Sequence, residues 1–467
     1  MKLRLLSGFA LFTMLSLNAM SQSTPVLSLD DCLRIALSEN PTVKVADMEV
    51  QRMDYSRKEV IGQLFPNIDF SGTYSRMVAK QVMYLNMSGL GGGAAAGEGG
   101  GESSASSGSN SSGIKMGLDN SYSVGFQGSM PLIAPQLWKS ISISDSQILR
   151  SLEASRQSKQ NLVNQVKSAY YAMLLAEDSK EVIQESYDMA KLTYETYTKL
   201  YSAGAASDYD VLRTSVAMKN VEPELLQADI AIKQTRLQLL ILMGVDSAFE
   251  FTVSDRLSNY EGTMYENTIA ALNNDYSENA DLKLLDIDAS ILKKNLTIQK
   301  LAYAPTLALA ANYNWTSMSN GSPFKNFRWN PYSTVSLSLS VPIFSSGQRW
   351  HKVKETQLQV EELNLQRNYL ERSVAMQVDL AIDNIKRNVK QIASSSESVK
   401  QAERAHDIMA RSFEIGAANY LDLRNSELAL TQARLAYYQA IYNYLIAGSS
   451  LELLQGTAPI DQYTNNQ

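Results

Sequence analysis

Four stretches of the chain alternate apolar and polar residues with a period of two. In Tyr332 to Val341, Val335, Leu337, Leu339 and Val341 fall on one face and Thr334, Ser336, Ser338 and Ser340 on the other. In Thr306 to Thr316, Leu307, Leu309, Ala311, Tyr313 and Trp315 share a face, opposite the small or polar Ala308, Ala310, Asn312 and Asn314. Ser121 to Met130 sets Tyr122, Val124, Phe126 and Met130 against Ser123, Gly125, Gln127 and Ser129. Asn67 to Arg76 puts Ile68, Phe70 and Tyr74 together. This period predicts four β-strands with one face in an apolar phase. A soluble sandwich alternates likewise. Strands of ~10 residues, a small uncharged face and the terminal aromatics Tyr74, Tyr313, Trp315, Trp329 and Tyr332 favour a membrane barrel.

Between the strands the period changes. Neither Trp138 to Ser202 nor Gln348 to Ile415 contains proline or glycine. At 1.5 Å per residue each run reaches roughly 100 Å as a helix. Leu162, Val166, Ala169, Met173 and Ala176 step by four and three, as do Leu225, Ala228, Ile232, Thr235, Leu239 and Leu242. These are coiled-coil seams. The seam of the second long run, Val378, Ala381, Ile385, Asn388, Ile392, Ser395, Val399 and Ala402, is partly small or polar. Such a seam suits helices set side by side around a lumen.

The chain is written twice. Ser38-Glu39-Asn40 recurs as Ser277-Glu278-Asn279, Pro66 as Pro305 and Tyr74 as Tyr313, all at an offset of 239. Gly204-Ala205-Ala206 recurs as Gly416-Ala417-Ala418, Asp210 as Asp422 and Gly244 as Gly456, at an offset of 212. The difference is a longer loop in the first half. Halves of this size are too long for a solenoid repeat and imply a tandem duplication. The expected organisation is a first repeat over 22–244, a linker over 245–263, a second repeat over 264–456 and a tail over 457–467. The strands are expected near 67–76, 121–130, 306–316 and 332–341, with a loop over 77–120 and long helices over 138–202 and 348–415.

The first residues read as a secretory signal over 1–21. Lys2 and Arg4 precede an apolar run, Leu5 to Leu17, and the small residues Ala19 and Ser21 suit cleavage after Ser21. Removing the two cations takes the net charge from −6 to −8, since −6 − 2 = −8. An uncleaved anchor is the alternative, but the run is short for a span. Cys32 stands alone, cannot form an internal disulfide and lies beyond any lipoprotein position. No basic run marks a nucleic-acid surface.

Catalytic and metal chemistry find no footing. His351 and His406 have no ligand spacing, and the glycines of Gly89 to Gly101 do not stand between a strand and a helix. Met77, Met83 and Met87 raise copper export as a reading, which is set aside. No nucleophile elbow, catalytic carboxylate pair or zinc motif is present, so no enzyme, cofactor or metal is expected. The run Gly89 to Gly113 is almost wholly Gly, Ala and Ser, and is expected to be a disordered outer loop.

The duplicated order of helix, strand, loop, strand, long helix, turn and helix resembles the TolC family of outer-membrane efflux proteins. So do the turns Gly204-Ala-Ala-Ser-Asp-Tyr-Asp210 and Gly416-Ala-Ala-Asn-Tyr-Leu-Asp422. The resemblance covers essentially the whole mature chain. It implies an α+β channel-tunnel of the Gram-negative outer membrane, a homotrimer with a twelve-stranded transmembrane barrel and a periplasmic helical barrel. Its implied partners are outer-membrane lipid, a periplasmic adaptor and an inner-membrane transporter that supplies the energy for small-molecule efflux. The alternatives are the outer-membrane component of a type I protein secretion system, or a periplasmic coiled-coil scaffold.

The turns have a physical reading of their own. Ser207 with Asp210, and Asn419 with Asp422, are spaced as helix caps. The resemblance adds a gating role at a periplasmic aperture for Asp422 and Asp210, with Phe413 and Tyr420 packed nearby. The family pattern has a second aspartate where Asn425 stands and a latching arginine where Ala418 stands. Arg424 and Arg411 are the remaining candidates for that latch.

Overall fold

The computed structural model describes residues 25–83, 114–263, 273–322, 324 and 328–464. The signal segment over 1–21 and the loop over 89–113 lie outside them. In chain order the helices are α1 (Leu29–Glu39), α2 (Pro41–Gly62), α3 (Pro135–Ser202), α4 (Asp208–Met243), α5 (Ala280–Leu301), α6 (Gln348–Glu414), α7 (Tyr420–Gln455) and α8 (Asp461–Thr464). The strands are β1 (Val26–Leu27), β2 (Asn67–Arg76), β3 (Gln81–Met83), β4 (Ile114–Met116), β5 (Asn120–Ile133), β6 (Thr252–Val253), β7 (Thr306–Ser319) and β8 (Asn330–Ser340). Contacts divide the chain into two compact units, and both draw on both halves.

One unit holds the sheet β2-β5-β7-β8, antiparallel throughout. β5 runs on through Pro131, past the alternation that ends at Met130. β2 begins opposite Ser129, so at Pro131 the strand has a neighbour only in β7, opposite Ala308. A proline without an N–H is tolerated where one side of a strand is free. The short ribbon β3–β4 extends the region where the sequence shows only a loop.

The sheet has two unlike faces. Asp69, Gln127, Asn312 and Thr334 stand in one register row across the four strands, on the polar face. Aromatic pairs cover the other, with Phe70–Phe126 at 5.0 Å and Tyr313–Trp315 at 4.6 Å between centroids. Each such pair contributes about 0.5–1.5 kcal/mol beyond its burial. This apolar face stays open: Ile68 is 70% exposed, Val335 75% and Leu339 65%. Among the described residues, β2 and β8 leave both sheet edges unpaired.

The other unit is helical, around Leu33 and Ala36 of α1, Val166, Tyr170 and Met173 of α3, Leu239 and Met243 of α4, and Ile441 and Leu451 of α7. Fully burying one of the leucine, valine, isoleucine or methionine side chains among them is worth about 1.5–3 kcal/mol. Two matching clasps close it. The Asn40 side chain donates to the Leu242 carbonyl at 2.8 Å, and that of Asn279 to the Leu454 carbonyl at 2.7 Å. Beside each, a glycine ends a helix in the left-handed region: Gly244 at φ 69° and Gly456 at φ 72°. A Cβ on Gly244 would stand 2.8 Å from the Glu39 carbonyl oxygen, and one on Gly456 2.0 Å from that of Glu278. Between the repeats, a 3-10 turn (Leu257–Thr263) is tied to α3 and α7. The Leu257 amide donates to buried Asp178 at 3.1 Å, and the Tyr437 hydroxyl donates to Glu261 at 2.6 Å.

Candidate functional site: the paired helical turns

The two helix pairs turn by the same device. The Ala205 amide donates to the Leu200 carbonyl at 2.8 Å and the Gly204 amide to that of Tyr201 at 2.9 Å; Ala417 to Ser412 and Gly416 to Phe413 repeat the pattern at 2.7 and 3.0 Å. This double closure needs a left-handed residue just past the helix, here Gly204 at φ 74° and Gly416 at φ 72°.

The caps that follow are not equivalent. In the first turn, Ser207 Oγ accepts from the Asp210 amide at 3.2 Å, while Asp210 Oδ2 accepts from the Ser207 hydroxyl at 2.6 Å and its amide at 3.3 Å. Arg213 adds an ion pair at 3.3 Å. The Ser207 hydroxyl is the main cause holding the Asp210 carboxyl below its ordinary value; its amide and Arg213 act the same way against partial desolvation. In the second turn, Asn419 Oδ1 accepts from the Asp422 amide at 3.0 Å. The Asp422 carboxylate is exposed and takes no hydrogen bond or ion pair among the described residues. Asn425, one turn on, is exposed as well.

Aromatic residues join the turns. Tyr420 is buried, and its ring meets Tyr197 of α3 edge-on at 5.8 Å. Phe413 lies 6.4 Å from the same Tyr197 ring. The Arg213 guanidinium sits over Tyr420 at 4.5 Å from the centroid, and 5.7 Å from that of Tyr209. Arg213 Nε is buried with no hydrogen-bond partner. Burial raises the pKa of Tyr420 above its ordinary value. Arg424 is engaged elsewhere, paired at 3.3 Å with the buried Glu427 on its own helix. Arg411 is exposed and makes no ion pair among the described residues.

The structure therefore brings Phe413 and Tyr420 together through Tyr197, and fastens Asp210 to Arg213. Sequence reasoning missed Tyr197 and Arg213. The only local signal for Arg213 is its place three residues after Asp210; nothing local relates it to Tyr420, which belongs to the other half. Among the described residues no group of His, Cys, Asp or Glu is placed to hold a metal, and no helix is long and apolar enough to cross a membrane.

Known proteins share this organisation. The family model described as outer membrane efflux protein matches residues 32–245 and 276–457. Outer membrane protein TolC of Vibrio cholerae is 20% identical over 337 residues, 72% of this chain and 76% of that protein. The pyoverdine export outer membrane protein OpmQ of Pseudomonas aeruginosa is 21% identical over 334 residues, 69% of this chain and 68% of that protein. Among solved structures, the CmeC outer membrane channel of Campylobacter jejuni superposes with a TM-score of 0.70 at 15% identity, covering 92% of this chain and 86% of that one. With both repeats matched, and with the duplicated order of helices and strands seen in the fold, the chain belongs to the outer membrane efflux protein family, as a transport component of the outer membrane and not an enzyme.

Proposed function

We propose that this chain is one protomer of a homotrimeric exit duct, which passes small molecules across the outer membrane with energy supplied by an inner-membrane transporter through a periplasmic adaptor. The four-stranded sheet carries this reading. Its apolar face is open, its opposite face is polar, and among the described residues both its edges are unpaired. Open edges are not tolerated in lipid. Three chains pooling their strands give a closed twelve-stranded barrel, a size within the known range.

The paired turns act as the gate in this reading. Threefold symmetry gathers three Asp422 carboxylates, and a cation is favoured between like charges held close. Asp210, engaged by Ser207 and Arg213, serves the cap rather than the ring. Closure rests on Tyr420 held between Tyr197 and Arg213, in place of the latch that Ala418 lacks. Mass measurement of the detergent-solubilised protein tests the assembly: a three-chain particle with one shared barrel is expected. A stable monomer with a closed barrel of its own sinks the proposal.

A further inference from the structure

At the end of the sheet where β2 stops and β5 starts, one face carries an unusual group of residues. Tyr74, Tyr122 and Ser317 form one register row, and Arg76, Asn120 and Ser319 the next row on the same face. Strand alternation puts Arg76 on the side of Phe70 and Tyr74, the apolar side. The Tyr74 and Tyr122 rings stack at 4.9 Å, and Phe324 lies 5.5 and 5.7 Å from them. Two amides of the β7–β8 connection are fastened to this face: Phe324 N donates to the Tyr122 hydroxyl at 2.8 Å, and Arg328 N donates to Ser317 Oγ at 3.1 Å. Phe324 takes φ 66°, a conformation that an L-residue with a large side chain rarely adopts, and is still 67% exposed.

Among the described residues, the cations around it outnumber the one acid, Asp119, which Arg76 also attracts. Asp119 is engaged by Lys80 at 2.9 Å and by the Gly321 amide at 3.0 Å. Arg76 and Arg328 are exposed and make no ion pair among the described residues. In a chain of net charge −6, two such cations beside an aromatic row form a local exception.

We propose that Arg76 and Arg328, set against the Tyr74–Tyr122–Phe324 cluster, bind the phosphates of lipid head groups at the membrane surface. Aromatic rings settle at the boundary between hydrocarbon and water. An arginine there lays its stem along apolar surface and extends its guanidinium into the head groups. The guanidinium fork matches phosphate in two parallel hydrogen bonds. The face decides the source of the phosphate. A soluble anion in transit would meet the polar face of Asp69, Gln127, Asn312 and Thr334, whereas Arg76 stands on the apolar one. This inference rests on the proposal above that the sheet spans the membrane.

The test reconstitutes the full-length protein into three kinds of vesicle: phosphatidylcholine alone, the same with lipid A, and the same with lipid A stripped of its phosphates. Wild-type protein should retain phosphorylated lipid A through detergent extraction at least about tenfold better than the R76Q/R328Q variant, from the loss of two charge-assisted contacts. Both should form channels in phosphatidylcholine alone. Equal retention by wild type and variant overturns the proposal, as does equal retention of the dephosphorylated lipid. Full displacement by inorganic phosphate reassigns the site to a soluble anion and overturns it too. Failure of wild type to form channels in any of the vesicles sinks the membrane-spanning reading, and this inference with it.

Discussion

Arg213 holds its guanidinium 4.5 Å from the centre of the Tyr420 ring, joining the start of α4 in the first repeat to the first residue of α7 in the second. A partly desolvated cation–π contact of this kind is worth about 0.5–2 kcal/mol. That range corresponds to roughly two- to thirtyfold in an equilibrium. Arg213→Ala and Tyr420→Leu are each expected to raise the open probability of the reconstituted channel by a factor in that range. Tyr420→Phe, which keeps the ring, should stay near wild type. Single-channel recording of the two single variants and the double variant decides: strictly additive effects would show that the two side chains do not act on each other.

The two turn aspartates should respond differently. Asp422→Ala is expected to weaken cation selectivity and divalent block while leaving thermal stability nearly unchanged, because Asp422 joins its cap only through its amide. Asp210→Ala should leave selectivity nearly unchanged and destabilise the first turn. Loss of block in Asp210→Ala alone would reverse the assignment.

Acid separates the aspartates further. The Asp210 pKa is held down in the fold, so its contribution is fully present above the unfolded value of about 3.9. It disappears as pH falls through the lower folded value. Ser207→Ala removes the main cause of that depression, and should flatten the acid limb of the unfolding midpoint below about pH 4. An unchanged acid limb in Ser207→Ala contradicts the assignment.

The four left-handed glycines form a graded series. Gly204→Ala and Gly416→Ala meet open space and incur only the backbone cost, about 1–2 kcal/mol. Gly244→Ala also presses on the Glu39 carbonyl, and Gly456→Ala presses hardest, on that of Glu278. Thermal unfolding in detergent should rank Gly456→Ala lowest, then Gly244→Ala, then the two turn variants. Equal midpoints across the series would mean that the clasps relax freely.

Asp178 gives a stability prediction of opposite sign. Burial lifts its carboxyl pKa, against the Leu257 amide and the Arg256 charge, with Glu181 adding to the rise. The folded chain therefore binds more protons than the unfolded one between about pH 4 and the raised value, and stability falls as pH climbs through that window. Asp178→Asn keeps an oxygen for the Leu257 amide and abolishes the charge. Its midpoint at neutral pH should equal or exceed that of wild type, and the slope should become shallower, the remainder coming from Glu177, whose carboxyl burial also lifts. A marked loss of stability would show that the charged form is needed.

Much of the fold could be read from the chain because long elements carry long periods. The alternation of Val335, Leu337 and Leu339 marks a strand, and β8 runs Asn330–Ser340. The run from Trp138 to Ser202 without proline or glycine marks a helix, and α3 runs Pro135–Ser202. Three-residue strands such as β3 and β4 hold too few positions to show a period. The strand expected to end at Met130 runs on through Pro131 to Ile133, and Pro223 lies inside α4. In the site, the caps at Ser207 and Asn419 were legible because a cap is a local spacing. The meeting of Arg213, Tyr197 and Tyr420 was not, because it depends on how helices from different repeats pack.

The clasps have an evolutionary consequence. Asn40 reaches Leu242 within the first repeat, and Asn279 reaches Leu454 within the second. The second clasp is also tied to the first repeat, since Arg156 donates to the Glu278 carbonyl at 2.8 Å and Gln160 to that of Gly456 at 2.6 Å. Each repeat also supplies its own adjacent pair of strands, β2 with β5 and β7 with β8. A half-length ancestor carrying such a repeat would have held its own Asn clasp and its own hairpin. The unequal caps at Asp210 and Asp422 mark where the two repeats differ today, one carboxylate turned to structure and its twin left open to solvent.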